Sequence, residues 1–206
     1  MKENKKAKKV VALLLCAVLL VVGSVTGTMA YLTSQDTVTN TFTVGNVTIT
    51  MDETKVDVYG KPLTGGEAGR GDANTYKLIP GHTYTKDPII YVTADSEDCF
   101  VFVQIDNAIS AYEDNSATIA SQITAKGWTQ GNGTDIPANV YYKTSLQSNP
   151  DRNLEVFDNF TIDKNANKFA NWSSINPTDT KINVTAYAIQ KDGLDEKAAW
   201  TALTTP

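Results

Sequence analysis

Residues 99–103, Cys-Phe-Val-Phe-Val, constrain this chain more than any other stretch. A strand alternates its side chains, so Phe100 and Phe102 share one face while Cys99, Val101 and Val103 share the other. Both faces are apolar, and only a central strand covered by a layer on each side can bury both. The chain after residue 30 is rich in Thr, Val, Ile, Tyr and Asn, which favour strands and turns. Short strands between turns, with few helices and no internal repeat, predict one all-β domain, a β-sandwich with one or two short helices.

Smaller signals fill in the order of elements. "TKVDVYGKPL" alternates and ends in turn chemistry at Gly60 to Pro62, and "TGGEAGRGDANT" reads as a mobile Gly-rich loop. Pro80-Gly81 marks a turn between two strands, and Pro88 belongs at a strand start or sheet edge. Ile119 and Ile123 lie four apart ahead of Gly127, which predicts a helix with a glycine stop. "QGNGTD" marks a hairpin tip, and "NVYYKT", "LEVFDNFTI" and "KINVTAYAIQ" each read as a strand. In the last, Ile182, Val184, Ala186 and Ala188 face one way and Tyr187 and Ile189 the other. Residues 195–200 have the makings of one helical turn.

The N-terminus has a different character. Five lysines within residues 1–9 precede an uncharged apolar run over residues 10–22, and small residues stand at Thr28 and Ala30. This is the pattern of a secretory signal peptide, residues 1–30, cleaved after Ala30 to leave Tyr31 as the new N-terminus. An uncleaved anchor is the alternative, because residues 10–30 are about long enough to span a bilayer. Gly23, Ser24, Thr26, Gly27 and Thr28 dilute its second half. Cleavage removes Cys16 and leaves Cys99 alone, so the mature chain forms no internal disulfide. With five lysines and Glu3 removed, 13 basic side chains face 22 acidic ones, a net charge near −9. That balance excludes nucleic acid and anionic membranes as partners, leaving membrane contact only before cleavage.

Strand-forming residues follow the cleavage site with almost no linker. Val38, Phe42 and Val44 alternate with Thr39, Thr41 and Thr43; then the phase slips at Gly45-Asn46, and Val47, Ile49 and Met51 take the other parity. A β-bulge or a hinge at Gly45 and Asn46 produces such a slip. Residues 37–51 are either the first strand of their own domain or, in part, a strand offered to a neighbour.

The stretch "TMAYLTSQDTVTNTFTVGNVTI" resembles the processing region of the TasA/camelysin family, exported from Gram-positive bacteria by a dedicated endoplasmic-reticulum-type signal peptidase. "YKLIPGHTYTKDPIIYV" and "INVTAYAIQKDGLDEKAAW" are similar to later parts of that family, whereas residues 104–180 match none of it. The resemblance implies a jelly-roll sandwich, residues 46–206, preceded by a donor segment, residues 31–45. It implies a secreted, non-enzymatic subunit of biofilm-matrix fibres at the cell surface. Its partners are further copies head to tail, the signal peptidase during export and a minor accessory fibre protein, with no cofactor. Cleavage at Thr28, Ala30 and Tyr31 would release a strand anchored by Val38, Phe42 and Val44, hinged at Gly45 and Asn46, to complete the next subunit's sheet.

Other motifs point elsewhere. The metalloprotease label carried by camelysin would need a zinc site, but His82 is the single histidine and no His-Glu-x-x-His occurs. Arg70-Gly71-Asp72 is an integrin-type triplet of the kind Gly-rich loops produce by chance. The run from Asp163 resembles a calcium loop but has Lys168 at the glycine position and Ser174 at the glutamate position. Asn46, Asn132, Asn159, Asn171 and Asn183 stand in glycosylation-type triplets, but they read as strand and turn residues ahead of glycan sites. Trp128, Trp172, Trp200 and nine tyrosines would suit a carbohydrate-binding face if exposed in a row, which makes a secreted glycan-binding or adhesion module the second function class.

Overall fold

The computed structural model describes residues 46–168 and 181–205, together with Lys9 and Trp172. The chain divides into two units, Met1–Thr43 and Val44–Pro206, and the described strands all lie in the second.

Strand β5 is Cys99–Asn107, flanked by β10 (Ile182–Gln190) on one side and β7 (Val140–Ser145) on the other, both antiparallel. A short strand β6 (Thr129–Gln130) closes the order β10-β5-β7-β6. A second four-stranded sheet runs β2 (Arg70–Gly71), β1 (Ile49–Thr54), β4 (Ile89–Val92), β8 (Asn153–Glu155). A two-stranded sheet pairs β3 (Thr83–Thr85) with β9 (Asn159–Thr161). The fold is all-β, as the sequence predicts, with two short α-helices among the residues described after Asn46, α1 (Ile119–Ala125) and α2 (Glu196–Thr204).

Both faces of β5 are covered. Cys99, Val101, Val103 and Ile105 enter one apolar cluster with Ile90 and Val92 of the second sheet and with Val156, Phe157 and Phe160. Phe100 and Phe102 enter another, with Val140, Ile136, Ala199 and Trp200. The Phe102 and Trp200 ring centres are 5.3 Å apart, and Tyr187 meets Trp200 edge-on at 5.7 Å. The predicted parity of β10 holds: Ile182, Val184, Ala186 and Ala188 pack against the first cluster, Tyr187 and Ile189 against the second.

Several expectations need correction. The C-terminal helix is nine residues rather than one turn: Asp195 caps its start by accepting from the Ala198 N–H at 2.7 Å, and the turn beyond Trp200 places Leu203 against the same apolar cluster. "LEVFDNFTI" is not one strand. Val156 and Phe157 are adjacent yet both buried, so the chain bends between them, and β8 and β9 join different sheets. The Gly-rich run holds a 3-10 turn at Gly65–Glu67 and strand β2, in place of a mobile loop. "TKVDVYGKPL" closes through a single bridge, Val56 to Pro62. Its turn contains Gly60 at φ +76°, where an added Cβ would lie 2.6 Å from the Tyr84 Cα. Pro80-Gly81 makes the expected turn, but a strand follows only on its C-terminal side. Pro88 immediately precedes β4, Gly127 follows α1 at φ +79°, and of the predicted hairpin tip Gln130 ends β6 while residues 131–135 lie in the β6–β7 connection.

Buried Arg152, absent from the sequence reading, organises the β4–β5 connection. Its guanidinium donates to the carbonyls of Thr93, Ser96 and Glu97 and to Ser145 Oγ. It also reaches Cys99 Sγ at 3.8 Å. Burial pushes the Cys99 thiol up, with Arg152 opposing.

Phe102 is fully buried. Truncation by Phe102→Ala is expected to cost about 3–5 kcal/mol in a denaturant titration, and a loss below about 1 kcal/mol would mean that this face of β5 is not a packed core. Cys99 is expected to react with thiol reagents only as the protein unfolds.

Candidate functional site

Strand β10 pairs with β5 along its whole length, from Ile182 opposite Asn107 to Gln190 opposite Cys99. On its other side it has no strand partner among the described residues. The inward side chains Val184 and Ala186 are only half-buried, as is Ile182, whereas Ile105 and Val103, opposite Val184 and Ala186 on β5, are buried. One strand of cover separates the two situations.

Beside this edge lies a cleft of about 1110 Å³. Met51 of β1, Ile109, Phe160 and Trp172 supply apolar walls, with Ile182 and Val184 along β10. Trp172 stands edge-on to Tyr112 with ring centres 5.7 Å apart. A strand rises about 3.3 Å per residue, so eight extended residues would span about 26 Å, comparable to β10 itself.

The opposite wall is polar and buried. Residues 47, 49, 51 and 53 share one parity, and Val47, Ile49 and Met51 pack against the core. Glu53 therefore enters the interior and is 4% exposed. Its Oε2 accepts from Lys86 Nζ at 2.5 Å and its Oε1 from Asn74 Nδ2 at 2.9 Å. Asn74 also donates to the Thr54 carbonyl, while its Oδ1 accepts from the Val56 N–H. Burial, reinforced by the nearby Glu53 charge, pushes the Tyr76 phenol far above its ordinary value. None of these three residues was singled out in the sequence, although an acid on the apolar parity of an amphipathic strand is the signal that points to Glu53.

On the other face of β1, Arg70 fixes β2. Its guanidinium meets Asp52 Oδ1, Asp87 Oδ2, Thr54 Oγ1 and the carbonyls of Asp52 and Asp87, using all five donors. An arginine so occupied is not offered to an adhesion receptor, so the Arg-Gly-Asp triplet is structural at its first residue.

The sequence-predicted processing residues Thr28, Ala30 and Tyr31 lie outside the described residues, as do Val38, Phe42, Val44 and Gly45. Asn46 is described and precedes β1, its carbonyl accepting from the Glu97 N–H. His82 packs edge-on to Tyr84 with Nε2 2.8 Å from the Tyr59 carbonyl. Among the described residues, no group of three His, Cys, Asp or Glu side chains is placed to hold a metal ion. Trp128, Trp200, Tyr84 and Tyr141 are buried, so these aromatics form core and not a sugar-stacking face. Comparison with family models, characterised proteins and solved structures finds no match.

Burial alone would raise the Asp87 carboxyl, but hydrogen bonds from the Thr54 N–H and hydroxyl and from Arg70 outweigh it and hold it below the usual range. Its stabilisation is therefore complete above about pH 4, the ordinary carboxylate value, and is lost as pH falls through the lowered folded value. Asp87→Asn is expected to cost about 1–2 kcal/mol at neutral pH and to flatten the acid limb of the stability curve. Parallel acid limbs in wild type and variant would show that this carboxylate does not couple folding to protons.

Proposed function

We propose that the chain is a secreted subunit of extracellular, biofilm-matrix fibres, similar to the TasA/camelysin proteins. In this reading residues 46–206 form a jelly-roll sandwich, the signal peptide is removed after Ala30, and residues 37–44 complete the sheet of the next copy. The observation that supports the reading is that β10 has one side without a strand partner among the described residues, beside a cleft with an apolar wall.

The occupant follows from the chemistry of this edge. Main-chain groups along β10 ask for a strand, and the half-buried Ile182, Val184 and Ala186 ask for apolar side chains at every second position. Residues 37–44 offer Val38, Phe42 and Val44 at alternate positions with threonines between. Phe42 and Val44 would each contribute about 1.5–3 kcal/mol on burial. The Gly45-Asn46 step lets the chain turn as it leaves its own domain. Before cleavage the strand is tethered to the membrane, so proteolysis acts as the assembly switch. One end of each copy then binds the opposite end of the next, a heterologous contact that does not close and yields filaments. No catalysis and no cofactor enter this reading.

Electron microscopy of the mature protein beginning at Tyr31 is expected to show filaments. Deleting residues 31–44 should leave a folded monomer that does not polymerise. Phe42→Asp should raise the critical concentration about 10- to 150-fold, the equivalent of the burial energy lost. Loss of folding on deletion would assign the strand to its own sheet. A mature protein that stays monomeric at high concentration, with its N-terminus protected from proteolysis, would overturn the mechanism.

A further inference from the structure

Lys86, Glu53 and Asn74 stand in an arrangement that does more than neutralise a charge. One carboxylate holds an amine on one oxygen and a carboxamide nitrogen on the other, at 2.5 Å and 2.9 Å. The carboxamide oxygen accepts a main-chain N–H, that of Val56, at 2.9 Å. Glu53 and Lys86 are 4% and 8% exposed, so water is largely excluded from the pair. A nucleophile, a base shared with the leaving group and an oxyanion donor are linked through Glu53 and Asn74 in one hydrogen-bonded chain. We propose that Lys86 and Asn74 become joined by an intramolecular isopeptide bond, with Glu53 carrying the protons.

The steps balance without any added reagent. Glu53 takes one proton from the Lys86 ammonium, and the freed lone pair on Nζ attacks Asn74 Cγ. The carbonyl electron pair moves onto Oδ1, where the Val56 N–H receives the developing charge. Collapse of this adduct breaks the Cγ–Nδ2 bond. Glu53 relays a second Nζ proton to Nδ2, and the departing ammonia carries the first proton away as ammonium. An ammonium and a carboxamide become a secondary amide and an ammonium ion, with no change in oxidation state. Holding the reactants in one site removes the entropic cost of bringing amine and amide together. Ordinary surface Lys–Glu pairs lack the third partner: Lys126, for example, meets only the carboxylates of Glu155 and Asp158.

The bond would tie the segment after β2 to the segment after β3 and stiffen one wall of the cleft. It stands or falls independently of fibre formation, because it is read on the dissociated chain. The intact mass of purified mature protein under denaturing conditions is expected to fall short of the sequence mass by one ammonia. Proteolysis should yield a branched peptide linking Lys86 to Asn74. Lys86→Arg should restore the full mass, and Asn74→Asp should change the deficit from ammonia to water. Full sequence mass in the folded wild type would overturn the proposal, and this measurement needs no variant to fold. A deficit that survives Lys86→Arg would overturn it too, since it would mark ring closure of Asn74 onto its own backbone.

Discussion

The double-sided burial of β5 is the constraint from which the rest of this architecture follows. A strand with Phe100 and Phe102 on one face and Cys99, Val101 and Val103 on the other needs two separate covers. The second sheet supplies one. The other comes from the far end of the chain, where α2 lays Ala199 and Trp200 over the phenylalanines. Its next turn adds Leu203 to the same cluster, and the helix runs to Thr204. Within this sheet β7 gains β6 beyond it, and among the described residues β10 is the outer strand.

Arginine rather than disulfide holds the connections. Arg152 gathers three carbonyls of the β4–β5 turn, and Arg70 spends five donors on β1 and the segment before β4. Among the described residues, no buried side-chain nitrogen or oxygen lacks a partner. Hydrogen bonds from a guanidinium to buried acceptors are worth more than neutral ones, and losing one partner strands the others. Such networks fix the loops of this sheet structure through side-chain hydrogen bonds, with Cys99 a buried free thiol.

Where local pattern decides, the sequence was readable. The two faces of β5, the parity of β10, the α1 helix with its glycine stop and the placement of Pro88 all follow from spacing within a few residues. Where the deciding partner is remote, it was not. The bend at Val156 and Phe157 arises because both side chains must enter the same core, a demand that strand periodicity does not express. The ordering of Arg70 depends on Asp52 and Asp87, 18 and 17 residues away. Asn74 and Lys86 acquire meaning only through Glu53, 21 and 33 residues distant. Of the cleft, the apolar side of β10 was visible in advance, and its polar wall was betrayed only by an acid at an inward position of β1. The residues proposed for processing and strand donation, Thr28 to Gly45, lie outside the described residues and were read from sequence and resemblance alone.

The central claim is that β10 accepts a strand from another copy, and amide hydrogen exchange along β10 tests it most directly. Residues of β10 whose N–H groups do not bond to β5 are expected to exchange rapidly in the cleaved monomer and to become strongly protected in the assembled state. Protection should depend on the presence of residues 37–44 in the added subunit. Amides already protected in the monomer would mean that the chain covers its own edge. Amides that continue to exchange rapidly within assembled fibres would show that the fibre is built through some other surface.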